Sequence, residues 1–245
     1  MNTVRVLRSW KHTFRSLVTG LLCLGMFIGG AALLLQPLWN HSHGETQAEA
    51  AVARYTAAVQ TVPAPAAADL WAEVTAVNAQ LYDEDTLLYL PAEVLEDYQA
   101  AMNPAGDGIL GTVEIPSIEV SLPVYHTMSQ EVLSRGAGHL EWTSLPTGEP
   151  TTHTVIGAHN GYRGQELFRR LPEVSVGETF SLRVLDRQFT YEVDRAEVVD
   201  SHDIGALLPV PGACLCTLMT CVEDNDSQRF LVRGHLCAVE RAMQK

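Results

Sequence analysis

From Thr112 to Cys237 the chain is written in short alternating apolar runs: TVEI, IEVSLPVY, HTVIGAH, TFSLRVL, FTYEVDRAEVV, CLCTLMTC and RFLVRGHLC, punctuated by Gly, Pro and Asn. Side chains alternate faces along a strand, so each run buries one face of a sheet and wets the other. Repetition at this spacing excludes a helical bundle and predicts an all-β barrel or sandwich. Two patches interrupt the pattern, SQEVLSRG around Ser129 and GQELFRRL around Gln165. Each is too short for more than one or two helical turns and is expected to be a connector.

Residues 45–82 are rich in Ala, Glu, Gln and Val, and VPAPAAADL places Pro63 and Pro65 in their middle. This predicts two helices separated by a proline break, forming a stalk. Further upstream, Leu17–Leu35 is a run of 19 residues without a charge, close to the roughly 20 that cross a bilayer as a helix. Arg5, Arg8, Lys11 and Arg15 precede it, and no acidic residue occurs before Glu45. The positive-inside rule then leaves the N-terminus in the cytoplasm and the rest outside, with Trp39 as an interfacial aromatic. A cleaved secretory signal has a shorter apolar region and a small-residue cleavage site; with either an anchor or a signal, the residues beyond Leu35 are exported. The expected organisation is a cytoplasmic N-terminus over 1–16, a transmembrane anchor over 17–37, an extracellular helical stalk with a possible lid over 38–105, and a β domain over 106–241. No second span is expected, because LVRGHLCAVERAMQK is short and charged.

The formal charge is −13, and four of the cations lie in the first 16 residues, so the exported surface is more acidic still. Such a surface excludes nucleic acid as a partner. Three stretches carry chemistry together: TVIGAHNG with His159, TLMTC with Cys221, and RFLVRG with Arg229 and Arg233. Strands ending in a cysteine and a histidine, beside one that begins with an arginine, can converge at one rim of a barrel. There the cysteine is the nucleophile, the histidine the proton donor to a leaving amine, and the arginine the cation near a developing oxyanion.

TLMTC followed by RFLVRG resembles the TLxTC and arginine signature of sortases. GDGILGTVEIPSIEVSLPVYH, GAGHLEWTSLPTGEPTTHTVIGAH and ELFRRLPEVSVGETF resemble, in order, successive segments of the class C, pilus-assembling branch, so that the likeness covers about residues 106 to 237. The resemblance implies a closed β-barrel with short connecting helices, preceded by N-terminal helices and a transmembrane helix. It implies a cysteine transpeptidase of the Gram-positive cell surface, in which Cys221 attacks the Thr-Gly bond of an LPXTG-like sorting signal and holds the acyl fragment as a thioester. A primary amine resolves it, either a pilin lysine or a peptidoglycan precursor. No metal or organic cofactor is required. His159, Cys221 and Arg229 match the catalytic positions; Arg233 has the same strand parity as Arg229 and is the alternative. Thr220 is either an oxyanion or substrate-orienting neighbour, or contributes its backbone alone.

The sequence departs from the branch in places. VEDNDSQ follows Cys221 where class C members commonly carry Thr-Pro-Tyr, and EDND is read as a solvated tip or a calcium loop. Residues 83–105 lack the Asp-Pro-aromatic plug of the family's lid, leaving Tyr89 or Leu90 as the substitute. An L,D-transpeptidase takes Gly before its cysteine and Arg nearly after it, whereas Thr220 and Val222 flank Cys221; a papain-like peptidase has its histidine after the cysteine. A non-enzymatic tethered scaffold gives no reason for TLMTC. Pairing of TLMTC with RFLVRG at number sums near 451 places Cys214 opposite Cys237 and Cys216 opposite His235, open to three states: an apolar thiol face, a disulfide or a zinc site.

Overall fold

Proline sets the first boundary. In the computed structural model, which describes residues 3–81 and 92–241, α1 (Thr3–Gln60) ends where Thr61 and Val62 bond back to Ala58 and Val59. Helix α2 (Ala64–Leu81) restarts with Ala67 N–H on Pro63 O, because Pro65 lacks a donor and is tolerated only in a first turn. Both helices bury one stripe against the strands: Ala48, Ala51 and Tyr55 from α1, Ala67, Trp71, Val74 and Val77 from α2. Over residues 44–81 the segment expected to form a stalk is therefore packed on the β domain. Hydrogen bonds fix the docking. Tyr55 Oη donates to Leu110 O at 2.8 Å and accepts from Leu185 N–H at 2.9 Å. Trp71 Nε1 donates to Asp186 at 2.9 Å, and buried Asn78 exchanges bonds with both backbone groups of Leu145.

The apolar run Leu17–Leu35 lies within α1, with Leu21, Met26, Phe27 and Leu34 exposed. Among the described residues no helix is long and apolar enough to cross a membrane. Tyr89 and Leu90 lie outside the described residues. Helix α3 (Ala92–Ala100) is fastened by buried Tyr98, whose hydroxyl meets His126 O and, at 2.8 Å, His139 Nδ1.

The seven alternating runs and one further short strand, β3, form the eight strands of one closed barrel: β1 (Ile109–Ile115), β2 (Val120–Tyr125), β3 (Ala137–His139), β4 (Thr152–Gly157), β7 (Thr179–Val184), β8 (Arg187–Asp200), β9 (Cys214–Val222) and β10 (Asn225–Arg241). Around the barrel their order is β1-β2-β3-β4-β9-β10-β8-β7, and β7 closes on β1. Leu218, Val232, Ile156, Phe180, Phe189 and Tyr191 belong to a core that is continuous with Trp71 and Val74 of α2. Helix α4 (Gln130–Leu133) is the first expected connector, capped by Ser129, which accepts from Val132 N–H.

The second expected helical patch is instead a ribbon of β5 (Asn160–Tyr162) and β6 (Gln165–Leu167). Its two-residue turn, Arg163 (φ 48°) and Gly164 (φ 91°), has both residues at positive φ, the geometry that a tight hairpin demands and a helix forbids. The TLMTC hairpin also closes differently. Three residues of β10, Asp226 to Gln228, interrupt the ladder after Asn225, so that Cys221 faces Arg229 and Cys216 faces Gly234, not His235. Cys237 falls in an irregularity between Leu236 and Ala238, exposed, with its thiol on Thr190 O at 3.2 Å. Cys214 sits beside Thr152 Oγ1 at 3.3 Å, and Cys216 is fully buried in the core. Cys214, Cys216, Cys221 and Cys237 are all free thiols, and the expected shared face does not form.

Candidate active site

Strands β4 and β9 run parallel, with Gly157 beside Met219, so both chains leave the barrel at the same rim. Two residues beyond Gly157 is His159, and two beyond Met219 is Cys221. The alignment is held past the strand end: Ala158 N–H bonds Met219 O at 3.1 Å, and Thr220 Oγ1 donates to Ala158 O at 2.9 Å. Antiparallel β10 places Arg229 directly across from Cys221, and residues opposed in this way share a face. The sequence-predicted thiol, imidazole and guanidinium are thus gathered at one rim.

Arg233 lies four residues farther along β10, about 13 Å at strand rise, opposite Thr217. Its guanidinium is spent on Asp194 through two bonds of 2.9 and 3.0 Å. Arg229 donates to Asp226 O and Gln228 O, both at 2.8 Å, with no side-chain carboxylate bonded to it among the described residues. Thr220 is buried on the face of β9 opposite to Cys221, its hydroxyl engaged by Ala158 O; it braces the His159 strand and does not face the thiol.

Burial pushes the His159 imidazole below its ordinary 6.5, because a charged ring loses hydration there. Its Nε2 is buried and has no hydrogen-bond partner among the described residues. The ring stacks instead on Tyr162, centroids 5.0 Å apart and planes at 16°. Asn160 Nδ2 donates to Cys221 O at 3.1 Å. Neither Asn160 nor Tyr162 stands out in the sequence, although Gly161 and the Arg163-Gly164 pair are a hairpin signal beside the histidine. On the thiol's face, Met219 and Leu231 continue an apolar strip with Val155, Leu207 and Trp142. Such a strip can seat the apolar residues of an extended peptide whose carbonyl reaches Cys221.

Residues 113–237 match the family model described as Sortase domain. Over 132 residues the chain is 24% identical to Sortase A of Streptococcus agalactiae serotype III (strain NEM316), covering 52% of this chain and 53% of that one; the chain thus matches about half the length of this curated relative. The fold is similar to the crystal structure of sortase C1 from Streptococcus agalactiae, with 29% identity, 77% of this chain and 98% of that chain covered, and a TM-score of 0.73. It is also similar to Streptococcus pneumoniae Sortase C, a structure described for its catalysis and pilin substrate specificity: 33% identity, 76% and 96% covered, TM-score 0.67.

Proposed function

The chain belongs to the sortase family of cysteine transpeptidases, and on that premise we propose that it cleaves an LPXTG-like sorting signal and transfers the acyl fragment to a pilin lysine. The observation that carries this reading is the convergence of Cys221, His159 and Arg229 on one rim. The Cys221 thiolate attacks the threonine carbonyl, and the oxyanion that forms lies near the Arg229 guanidinium. The carbon–nitrogen bond to glycine breaks as His159 delivers a proton to the departing amine, leaving a thioester. A neutral amine then attacks the thioester carbonyl, gives up its proton to His159 and releases Cys221. No metal or organic cofactor enters these steps. The acidic composition favours a cationic acceptor by complementarity.

In this reading residues 17–37 anchor the enzyme in the membrane, with 1–16 in the cytoplasm and both 38–105 and the barrel over 106–241 outside. Supporting the anchor are the uncharged run Leu17–Leu35, the four cations before it and the exposed apolar side chains of that stretch of α1. Extraction of membranes at alkaline pH tests it: an anchored chain stays in the pellet.

The chemistry is tested by incubating the enzyme with an LPXTG-containing peptide and reading the adduct by mass spectrometry. One acyl group is expected on Cys221 and none on the Cys221→Ala variant; an equal adduct on that variant sinks the reading. Adding in turn a lysine-bearing pilin peptide and a peptidoglycan precursor amine identifies the acceptor. Resolution by the second alone makes the enzyme a wall-anchoring one.

A further inference from the structure

His159 presents an unusual situation for a residue asked to move a proton. An acid–base histidine is ordinarily oriented by a hydrogen bond to one ring nitrogen, yet its buried Nε2 has no such partner among the described residues. What fixes the ring is the parallel face of Tyr162 at 5.0 Å. The Arg163 guanidinium also lies over the Tyr162 ring, 5.1 Å from its centroid, and holds the phenol ring by cation–π attraction.

The ribbon that carries Tyr162 is strained and tied down. Gly161, Arg163, Gly164 and Leu167 all have positive φ, and for the two residues with side chains this conformation costs about 1 kcal/mol or more each. Two bonds close its base: Phe168 N–H to His159 O at 3.1 Å, and the Asn160 amide to Cys221 O at 3.1 Å. One short ribbon therefore touches the imidazole through an aromatic face and the nucleophile through its backbone carbonyl.

We propose that β5 and β6 form a positioning clamp for the transpeptidation, in which Tyr162 orients the His159 ring by stacking and Asn160 fixes the Cys221 backbone relative to it. The clamp rests on the role given to His159 and Cys221 above, and it adds two residues that act through them. Neither side chain needs to touch the sorting signal. The flat ring is the part of Tyr162 that acts, and its hydroxyl is dispensable.

The test compares Tyr162→Phe, Tyr162→Leu, Tyr162→Ala and Asn160→Ala in the otherwise unchanged chain, using an LPXTG-like peptide and a lysine-bearing acceptor peptide. Loss of orientation costs about 100-fold in rate when a reacting group is misplaced by an ångström. Tyr162→Ala and Tyr162→Leu are expected to lower kcat by about 10- to 100-fold, with KM changed less than about threefold, and Tyr162→Phe to restore most of the rate. Asn160→Ala lowers kcat in the same sense. The leucine variant fills the site without a flat ring, so it remains informative if the alanine variant loosens the ribbon. Titration of His159 by NMR reads the clamp without any turnover: removing the ring admits water, and the imidazole moves up toward its ordinary 6.5 in Tyr162→Ala and stays put in Tyr162→Phe. If Leu and Phe variants match each other in both kcat and His159 titration, stacking does not position the ring and the clamp is overturned. If instead Cys221→Ala retains activity, the catalytic assignment itself fails, whatever the Tyr162 variants do.

Discussion

Two arginines four residues apart on β10 have the same parity, and only their partners tell them apart. Arg233 is held by two bonds to Asp194, while Arg229 faces Cys221 and bonds only backbone carbonyls among the described residues. Arg229→Ala should therefore lower kcat by about two to three orders of magnitude, as for a lost oxyanion donor, with thermal stability little changed. Arg233→Ala should do the reverse, leaving kcat within a few-fold and costing on the order of 1 kcal/mol for a partly exposed bidentate pair. Steady-state kinetics and thermal unfolding of the two variants check this, and a catalytic loss at Arg233 alone would put the guanidinium in the wrong register. The convergence of His159, Cys221 and Arg229 at one rim was legible in the sequence because each sits in a short motif whose order along the chain matches a family. Asn160 and Tyr162 were not, because their contacts exist only after the ribbon folds back. Thr220 was legible as a neighbour of the thiol, but strand parity turns its hydroxyl to the other face.

At the scale of elements, periodicity was enough for most of the barrel and for the helix break at Pro63, because alternation and a missing N–H are local facts. It failed where a pairing partner decides. Gln165–Leu167 carries a helix-compatible pattern, yet the positive-φ turn before it makes a strand. The three-residue strand β3 is too short to show any period. The β9–β10 register slipped by one because Asp226–Gln228 leave the ladder, and nothing in the composition of a polar tip fixes how many residues do so. The docking of α1 rests on one phenol that serves two backbone groups on different strands' ends, Leu110 O and Leu185 N–H. Tyr55→Phe leaves both unpaired in a buried site and should cost about 1–3 kcal/mol. Denaturant unfolding should show this as a lower midpoint with an unchanged slope; an unchanged midpoint would mean that water reaches those groups and α1 is not fastened there.

Over the whole molecule, buried imidazoles set the response to acid. Burial pushes His139 down to about 3 from 6.5, and it pushes His126 and His153 down as well. Below pH 6.5 the unfolded chain binds protons that the folded one refuses. Stability is therefore full above that value and declines as the pH falls toward 3, at up to about 1.4 kcal/mol per pH unit for each such group. Unfolding free energies measured between pH 5 and 7 should rise with pH, and His139→Gln should flatten the slope without abolishing it. An identical slope in that variant would mean that His139 is protonated in the fold. The barrel order has a different consequence. Strand β10 lies between β9 and β8, and it alone brings a guanidinium opposite the thiol. A chain with β4 and β9 paired but β10 not yet docked thus holds its thiol and imidazole side by side and lacks the cation until the last strand slots between its neighbours. On the role proposed for Arg229, the full set of groups is assembled only when the barrel closes, so that the order of the strands makes complete folding a condition of activity.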